Sequence, residues 1–212
     1  YIPDAIFKAY LVGNSSINTN GDTEIQVSEA SAWNDGMTMT SLQISDLTGI
    51  EAFTALTYLY CQNQQLTSLD VSTNTALTLL YCGGNQLTSL DVTTNTALTE
   101  LDCAYNELTS LDVSTNTALE GLYCGDNQLE CLKIKNGNNT AFSVFNVLGN
   151  PNLTCIEVDD VSYSSVNWTN IDSQTSFSTD CNNGCSNTSS ISELNNTPKQ
   201  LIKIVDVIGR ET

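Results

Sequence analysis

Four cysteines recur at a constant interval in the middle of the chain, and each stands in the same local pattern. Each has a leucine two and five residues before it and an asparagine or glutamine three residues after it. A fixed period of 21 residues indicates a solenoid, because each repeat leaves an apolar face that only the next repeat covers. The sequence therefore predicts stacked coils whose repeated outer surface carries the function. The cysteines are Cys61, Cys82, Cys103 and Cys124.

Each repeat is built from two similar half-turns of 10 and 11 residues, each with an apolar-polar-apolar triplet. Alternation over Leu80, Tyr81 and Cys82 is typical of a short strand with one buried face. We predict a mainly β solenoid with short parallel strands on both sides of each coil, the coils ~4.8 Å apart. The asparagines three residues after the cysteines should lie at the corners of the coils and bond buried backbone groups. The cysteines should pack as small apolar side chains.

The repeat reads L-x-x-L-x-C-x-x-N-x-L-x-x-L-D-V-S-x-N-T-A and resembles the 21-residue leucine-rich repeat of bacteria. The resemblance implies a leucine-rich repeat solenoid over residues 37–158. Residues 151–181 resemble the closing cap of Bacteroidetes surface repeat proteins, with Tyr163, Trp168 and Phe177 covering the last apolar face. We predict a small helical N-terminal cap, the solenoid, a C-terminal cap, and a linker with the start of a secretion domain. Their ranges are 1–36, 37–158, 159–185 and 186–212.

Four further cysteines lie in or beyond the last coils. We predict a disulfide bond between Cys155 and Cys181, because a cap with little core of its own gains from a covalent loop closure. Cys131 and Cys155 occupy equivalent positions in adjacent coils and form the rival pair. Cys185 stays unassigned, because spacing alone leaves several connectivities open.

The N-terminal segment combines a predicted helix with a candidate calcium loop. Residues 3–12 have apolar side chains at helical spacing after a Pro-Asp start. Residues 18–29 resemble the twelve-residue EF-hand loop, which implies a structural calcium ion that caps the first coil. Asparagine in place of aspartate at position 1, and Thr23 in place of glycine at position 6, imply a weak affinity for calcium. The alternative is that residues 18–29 form an ordinary polar turn. The resemblance assigns as ligands Asn18, Asn20, Asp22, Glu24 through its carbonyl, Gln26 through water, and Glu29.

The charge balance restricts the partners. The chain has 24 acidic and 6 basic residues, a net charge of -18, and no basic residue between Lys8 and Lys133. Nucleic acid is excluded as a partner, because neutralising phosphates requires a basic surface. The acidic surface either favours calcium or cationic ligands or simply keeps the protein soluble. No apolar run is long enough to enter a membrane, and we expect a monomer.

Catalysis is not predicted. The chain has no histidine, no glycine-rich phosphate loop, and no base beside its repeated serines. The best catalytic pair is Glu100 and Asp102, which alternate on one strand and so face the same way. Paired carboxylates hydrolyse glycosides, which keeps glycan hydrolysis as an alternative. A smooth solenoid wall, however, offers no deep cleft in which to raise one pKa.

Binding is the predicted function. If leucine and cysteine point inward, a strip of tyrosines and carboxylates projects from one sheet, and these positions vary within an almost constant frame. Such a strip suits a protein segment or a polysaccharide. Alternatively, tyrosine is only a good strand surface residue, and the protein is a purely structural or adhesive module. The predicted ligand-binding residues are Tyr58, Tyr60, Tyr81, Glu100, Asp102, Tyr105, Tyr123 and Asp126.

The opposite side of the coils repeats almost without change. Regular Thr-x-Thr rungs at 73–75, 94–96 and 115–117 allow an ice-binding face as a further alternative. Duplication of the repeat alone also explains them.

The end of the chain differs in composition from the repeats. Residues 198–212 resemble the opening of the carboxy-terminal sorting domain of type IX secretion, with an apolar strand, Asp206 and the Gly209-Arg210 turn. The resemblance implies a Bacteroidetes protein that is secreted or displayed on the outer surface of a Gram-negative bacterium.

Overall fold

The chain winds into a solenoid whose successive coils are joined by parallel strand pairing. The computed structural model describes residues 1–181, and residues 182–212 lie outside the described part. The helices are α1 (Ala5–Gly13), α2 (Val27–Ala32) and α3 (Val161–Asn167), with single 3-10 turns at Ile50–Ala52 and Asn139–Ala141. The strands are β1 (Met37–Thr38), β2 (Tyr58–Tyr60), β3 (Leu79–Tyr81), β4 (Glu100–Asp102), β5 (Ser110–Asp112), β6 (Gly121–Tyr123), β7 (Cys131–Lys133), β8 (Val144–Asn146), β9 (Cys155–Glu157) and β10 (Ser176–Ser178).

The strands form two parallel sheets that the chain visits in turn. The first sheet has six strands in the order β1, β2, β3, β4, β6, β8, and the second has four in the order β5, β7, β9, β10. Pairing always joins equivalent residues of neighbouring coils, so that Leu59 lies opposite Leu80 and Leu80 opposite Leu101. These leucines are fully buried. The predicted leucine-rich repeat solenoid is therefore confirmed.

The second sheet is shorter than the repeat predicts. It begins at β5, and the equivalent residues 68–70 and 89–91 of the two preceding coils form no strand. All three segments have the sequence Ser-Leu-Asp, so local propensity does not distinguish them. The predicted second strand is present only from residue 110 onward.

A buried asparagine at one corner of each coil bonds that coil to the preceding one. The Nδ2 atom of Asn106 donates to the carbonyl oxygens of Cys82 and Cys103, each at 3.1 Å. Its Oδ1 atom accepts from the backbone N–H of Leu87 at 3.0 Å. Asn85 and Asn127 make the same set of bonds. These bonds satisfy backbone groups that a tight bend leaves unpaired, so the predicted scaffold role is confirmed.

The repeated cysteines lie in the core as free thiols. None of the four has exposed surface, and none is in a disulfide bond. Burial raises the pKa of the Cys61 thiol to about 12, and it raises the pKa of the other three as well. The thiols therefore stay protonated at neutral pH and pack as small apolar groups, as predicted.

Helix α1 covers the first coil. It begins after Asp4, whose Oδ1 atom accepts from the backbone N–H groups of Ile6 and Phe7, each at 2.9 Å. This is an N-cap, which satisfies donors that the helix itself leaves free. The other oxygen of Asp4 accepts from the backbone N–H of Ser45 at 2.9 Å and so ties the helix to the solenoid. Phe7 and Leu11 are fully buried, and the predicted N-terminal helix is confirmed.

Trp168, just after α3, covers the last coil. Its ring stacks on Phe145 with the centroids 4.2 Å apart. Tyr163 and Phe177 meet it edge-on at 6.5 and 5.9 Å. Only 4% of Trp168 is exposed, so the aromatic cluster closes the core as predicted.

A disulfide bond between Cys155 and Cys181 closes a loop of 26 residues around this cap. It links β9 to the residues just after β10, the strand paired with β9. The rival pair of Cys131 with Cys155 does not form, because Cys155 is bonded to Cys181. Cys185 and the segment resembling a sorting domain lie outside the described residues. Within residues 1–181, no helix is long and apolar enough to span a bilayer.

Candidate binding groove

The outward side chains of the first sheet form two rows across the strands. In one row Tyr60 lies opposite Tyr81, Tyr81 opposite Asp102, and Asp102 opposite Tyr123. Neighbouring positions in such a row are ~4.8 Å apart. The second row holds Tyr58 and Glu100, two residues earlier on their strands. The register thus brings the predicted strand residues onto one surface.

A groove runs along this surface at the ends of the strands. Its volume is about 640 Å3. We call it the tyrosine groove. Of the predicted residues, the groove is lined by Tyr60, Tyr81, Asp102, Tyr105, Tyr123 and Asp126, whereas Tyr58 and Glu100 lie in the row beside it.

The tyrosine rings at one end of the groove are already packed together. Tyr60 stacks on Tyr81 with centroids 4.7 Å apart and ring planes 28° apart. Tyr58 leans on Tyr60 with ring centroids 5.2 Å apart. The ring of Tyr58 also covers Gly36, where an added Cβ would lie 2.1 Å from ring atoms. Side chains held in this way lose little conformational entropy when a ligand binds.

Small residues form the floor of the groove, and the sequence reasoning missed them. Gly83, Ala104 and Gly125 follow three successive repeat cysteines and line the groove. A Cβ on Gly83 would lie 3.0 Å from the carbonyl oxygen of Ala104, and one on Gly125 would lie 2.8 Å from that of Leu148. A side chain at Gly83 or Gly125 would therefore press against the backbone of the next coil. The signal was present in the sequence as small residues directly after the cysteines. The other lining residues that were missed are Thr40, Gln62, Asn63, Gly84 and Asn146.

Tyr105 occupies a backbone position that disfavours its side chain. The residue directly before the corner asparagine has a positive φ. Tyr105 has φ 55°, and Gly84, the equivalent residue of the preceding coil, has φ 68°. This left-handed conformation costs an L-residue roughly 1–2 kcal/mol. Tyr105 is 66% exposed, so core packing does not compensate for the strain. Strained and exposed side chains of this kind occur at functional sites.

The groove is acidic, and the pKa values of Asp102, Tyr81 and Tyr123 are raised there. Burial raises the pKa of Asp102, the nearby Glu100 carboxylate raises it further, and a hydrogen bond from the backbone N–H of Ala104 opposes this. Burial, followed by Glu100, raises the pKa of Tyr81. Burial and both carboxylates raise the pKa of Tyr123. The hydroxyl groups therefore remain hydrogen-bond donors at neutral pH.

Glu100 and Asp102 face the same side of β4, as the alternation predicted. The Oδ1 atom of Asp102 accepts from the backbone N–H of Ala104 at 3.1 Å. The groove beside them is open along the sheet, whereas a carboxylic acid that acts as a general acid is usually kept protonated by an apolar pocket. The arrangement presents charge and aromatic surface to a ligand.

On the opposite side of the coils, the first threonine of each Thr-x-Thr rung bonds to the protein. The hydroxyls of Thr73, Thr94 and Thr115 donate to backbone carbonyls of the preceding coil at 2.8 to 3.0 Å. These hydroxyl hydrogens are directed at the protein, which weighs against an ordered water layer for ice binding.

The candidate calcium loop is folded by its own hydrogen bonds. Oδ2 of Asp22 and Oε1 of Gln26 both point at the Nδ2 atom of Asn20, at 3.0 and 2.8 Å. Positions 3, 5 and 9 of the EF-hand pattern therefore converge. Asn18 instead donates inward to the carbonyl oxygens of Val12 and Asp22.

Glu29, at position 12 of that pattern, is held by protein donors. Its Oε1 atom accepts from the backbone N–H groups of Thr19 and Asn20 at 2.7 and 3.1 Å, and Oε2 accepts from Gln26 at 3.0 Å. The hydrogen bond from Gln26 and those from residues 19 and 20 lower the pKa of Glu29, and partial burial, which raises the pKa, offsets only part of this effect. The side chain of Glu24 forms an ion pair with Lys8. Across residues 1–181, no three histidine, cysteine, aspartate or glutamate side chains lie together as a metal site. The loop thus fits a calcium ion only in part, because one carboxylate oxygen of Asp22 and one amide oxygen of Gln26 converge.

Parallel ladders, corner asparagines and inward leucines define a leucine-rich repeat protein. No protein-family model matches the sequence, and no curated protein matches it. The functional domain of InlJ from Listeria monocytogenes, whose structure includes a cysteine ladder, is 34% identical with a TM-score of 0.61. This similarity covers 74% of the present chain and 36% of the InlJ chain. An internalin C2 from Listeria monocytogenes shares the fold at 16% identity and a TM-score of 0.50, over 84% of this chain and 94% of that one. The structural neighbours are therefore internalin-type leucine-rich repeat proteins.

Proposed function

We propose that this protein is a non-catalytic extracellular module that binds another protein through the tyrosine groove. The main support is that the packing residues of the repeat are almost constant and the residues of the groove are not. Leucines, cysteines and asparagines repeat for packing, whereas the groove positions change from coil to coil and include the strained Tyr105. Packed tyrosine rings favour protein contacts, because they offer large area at low entropic cost.

An extracellular location agrees with the covalent structure. Cys155 and Cys181 are oxidised to a disulfide, which is typical of proteins that fold outside the reducing cytosol. Export by a type IX pathway to the surface of a Gram-negative Bacteroidetes cell rests on the sequence resemblance of residues 198–212. We also propose that the module acts as a monomer.

The test is capture of ligands from extracts of cell-surface material. Replacing Tyr60, Tyr81 and Tyr123 together by serine should abolish capture. Because these rings are half-buried and two of them stack, the variant should also lose some thermal stability, and circular dichroism checks that it stays folded at the temperature of the assay. The matched control changes three exposed threonines of successive coils, Thr75, Thr96 and Thr117, to serine, and it should bind as the wild type does. Capture that survives the tyrosine replacements would exclude the groove and favour a purely structural or adhesive module.

The same assay separates the ligand classes. Protease treatment of the extract should remove the captured ligand, and periodate oxidation should not. The opposite result would identify a polysaccharide ligand. Hydrolysis of captured glycan that depends on Glu100 and Asp102 would contradict the non-catalytic assignment.

We also propose that residues 18–29 bind calcium as a structural ion. The support is the convergence of Asp22 and Gln26 oxygens on one point, now occupied by the amide of Asn20. A cation there would be bound by oxygen atoms of the loop and would cross-link the cap that covers the first coil.

A further inference from the structure

The aromatic column of the tyrosine groove is interrupted at one strand. Tyr60 and Tyr81 are adjacent in the row and their rings stack at 4.7 Å. The next position holds Asp102, and the one after it holds Tyr123. Tyr81 and Tyr123 are thus two strand spacings apart, or ~9.6 Å at the backbone. Stacked carbon atoms approach to about 3.5–4.0 Å, so the interval accommodates one flat group between the two rings.

The base of this interval is a carboxylate with spare acceptor capacity. Oδ1 of Asp102 accepts from the backbone N–H of Ala104 at 3.1 Å. For Oδ2, no donor is present among residues 1–181. A carboxylate accepts up to about four hydrogen bonds, so most of the acceptor capacity of Asp102, which lines the groove, is unused.

Within residues 1–181, no cation pairs with this carboxylate. No lysine or arginine occurs between Lys8 and Lys133, and Lys133 belongs to β7 of the other sheet. Glu100 and Asp126 add negative charge at the same surface, and Glu100 contributes to raising the pKa of Asp102. A bound cation would relieve this repulsion between carboxylates.

We propose that an arginine side chain of the partner protein binds over Asp102, between the rings of Tyr81 and Tyr123. This proposal rests on the protein-binding function of the groove and names the group that it recognises. A guanidinium group is flat, stacks on aromatic faces and donates to a carboxylate at the same time. A lysine ammonium lacks the flat surface. Calcium takes six to eight oxygen ligands, and phenol rings do not provide them.

The probe is a pair of nine-residue peptides of glycine and serine with either one central arginine or one central citrulline. Citrulline keeps the planar shape and loses the charge. In an NMR titration of the whole protein, the arginine peptide should shift the ring signals of Tyr81 and Tyr123. Its dissociation constant should be about tenfold lower than that of the citrulline peptide, because one charge-assisted hydrogen bond contributes a factor of about this size. Added salt should reduce the ratio.

The variant Asp102→Asn should remove the preference for arginine while keeping the shape of the groove. Asp112→Asn is the matched control, because Asp112 ends a strand of the other sheet and accepts from the backbone N–H two residues on, at 2.9 Å. This control should keep the preference. Equal affinity for both peptides, binding of neither, or equal loss in the two variants would overturn the proposal. A lysine peptide that binds as tightly as the arginine peptide would overturn the stacked geometry.

Failure of this inference is distinguishable from failure of the proposed function. If native ligands are captured through Tyr60, Tyr81 and Tyr123 but the peptides bind equally, the groove binds proteins without an arginine pocket. If capture does not depend on the tyrosines, the groove itself is not the binding site.

Discussion

Asn106 and Leu87 are joined by a hydrogen bond from the backbone N–H of Leu87 to the Oδ1 atom of Asn106, at 3.0 Å. The two residues belong to neighbouring coils, 19 positions apart. The amide nitrogen of the same asparagine reaches Cys82 in the preceding coil and Cys103 in its own. One side chain therefore connects two coils at three backbone groups. Its removal would leave the buried N–H of Leu87 unpaired and would take one of two asparagine donors from each carbonyl, because Asn85 also donates to Cys82 and Asn127 to Cys103.

We predict that Asn106→Ala lowers the free energy of unfolding by about 2 kcal/mol, because the variant leaves one buried backbone N–H unpaired and loses two further hydrogen bonds. Urea unfolding followed by circular dichroism measures the change. Gln86→Ala is the control, since Gln86 is exposed and has no side-chain hydrogen bond in the described structure, and it should change stability by less than about 0.5 kcal/mol. Equal effects of the two substitutions would contradict the scaffold role.

The buried cysteines predict a loss of stability at alkaline pH. The pKa of the Cys61 thiol is raised to about 12 in the native state by burial, whereas an unfolded thiol ionises near about pH 8.5. Between these values the unfolded state has lost its proton and the native state has not. The thiol's contribution to stability is therefore fully present below about pH 8.5 and declines as the pH rises toward 12.

The variant Cys61→Ala should reduce the slope of unfolding free energy against pH by up to about 1.4 kcal/mol per pH unit. Urea titrations between pH 8.5 and 10 would measure this slope. Val92→Ala, a similarly buried site without an ionisable group, should lower stability and leave the slope unchanged. An unchanged slope in Cys61→Ala would show that the native thiol ionises as an exposed one does.

The sequence was sufficient for the frame and insufficient for the details of the surface. The 21-residue period fixed which residues face inward, because stacking buries the same positions in every coil. It therefore placed Tyr60, Tyr81 and Tyr123 on one face. The groove itself depends on the absence of side chains at Gly83 and Gly125, which a search for chemical groups overlooks. Identical Ser-Leu-Asp segments differ in strand content, so pairing there depends on neighbouring coils rather than on local sequence.

Tyr105 predicts a trade-off between stability and binding. Its φ of 55° is tolerated by asparagine, which Asn63 provides at the same corner of another coil with φ 54°. Tyr105→Asn should therefore raise the free energy of unfolding by up to about 1 kcal/mol. The same change should weaken ligand capture, because an exposed ring leaves the groove. A variant that is destabilised and still binds fully would refute the functional interpretation of this strained residue.

The candidate calcium loop makes the last prediction, and it depends on how Glu29 is used. In the present arrangement its two oxygens accept from residues 19, 20 and 26, and in an EF-hand the glutamate at position 12 binds the ion with both oxygens. If calcium recruits this carboxylate, millimolar calcium should raise the melting temperature of the wild type, because an ion that binds only the native state stabilises it.

Glu29→Gln should lower the melting temperature without calcium and cancel most of the calcium-dependent rise. Glu107→Gln, at an exposed carboxylate of the solenoid, removes the same charge elsewhere and should keep the full rise. Magnesium should be a poor substitute, because its small octahedral shell disfavours a carboxylate that binds with both oxygens. The comparison of the two glutamine variants separates a specific site from general screening of an acidic surface. If calcium raises the melting temperature of both variants equally, residues 18–29 act as a hydrogen-bonded turn in which Glu29 caps backbone donors.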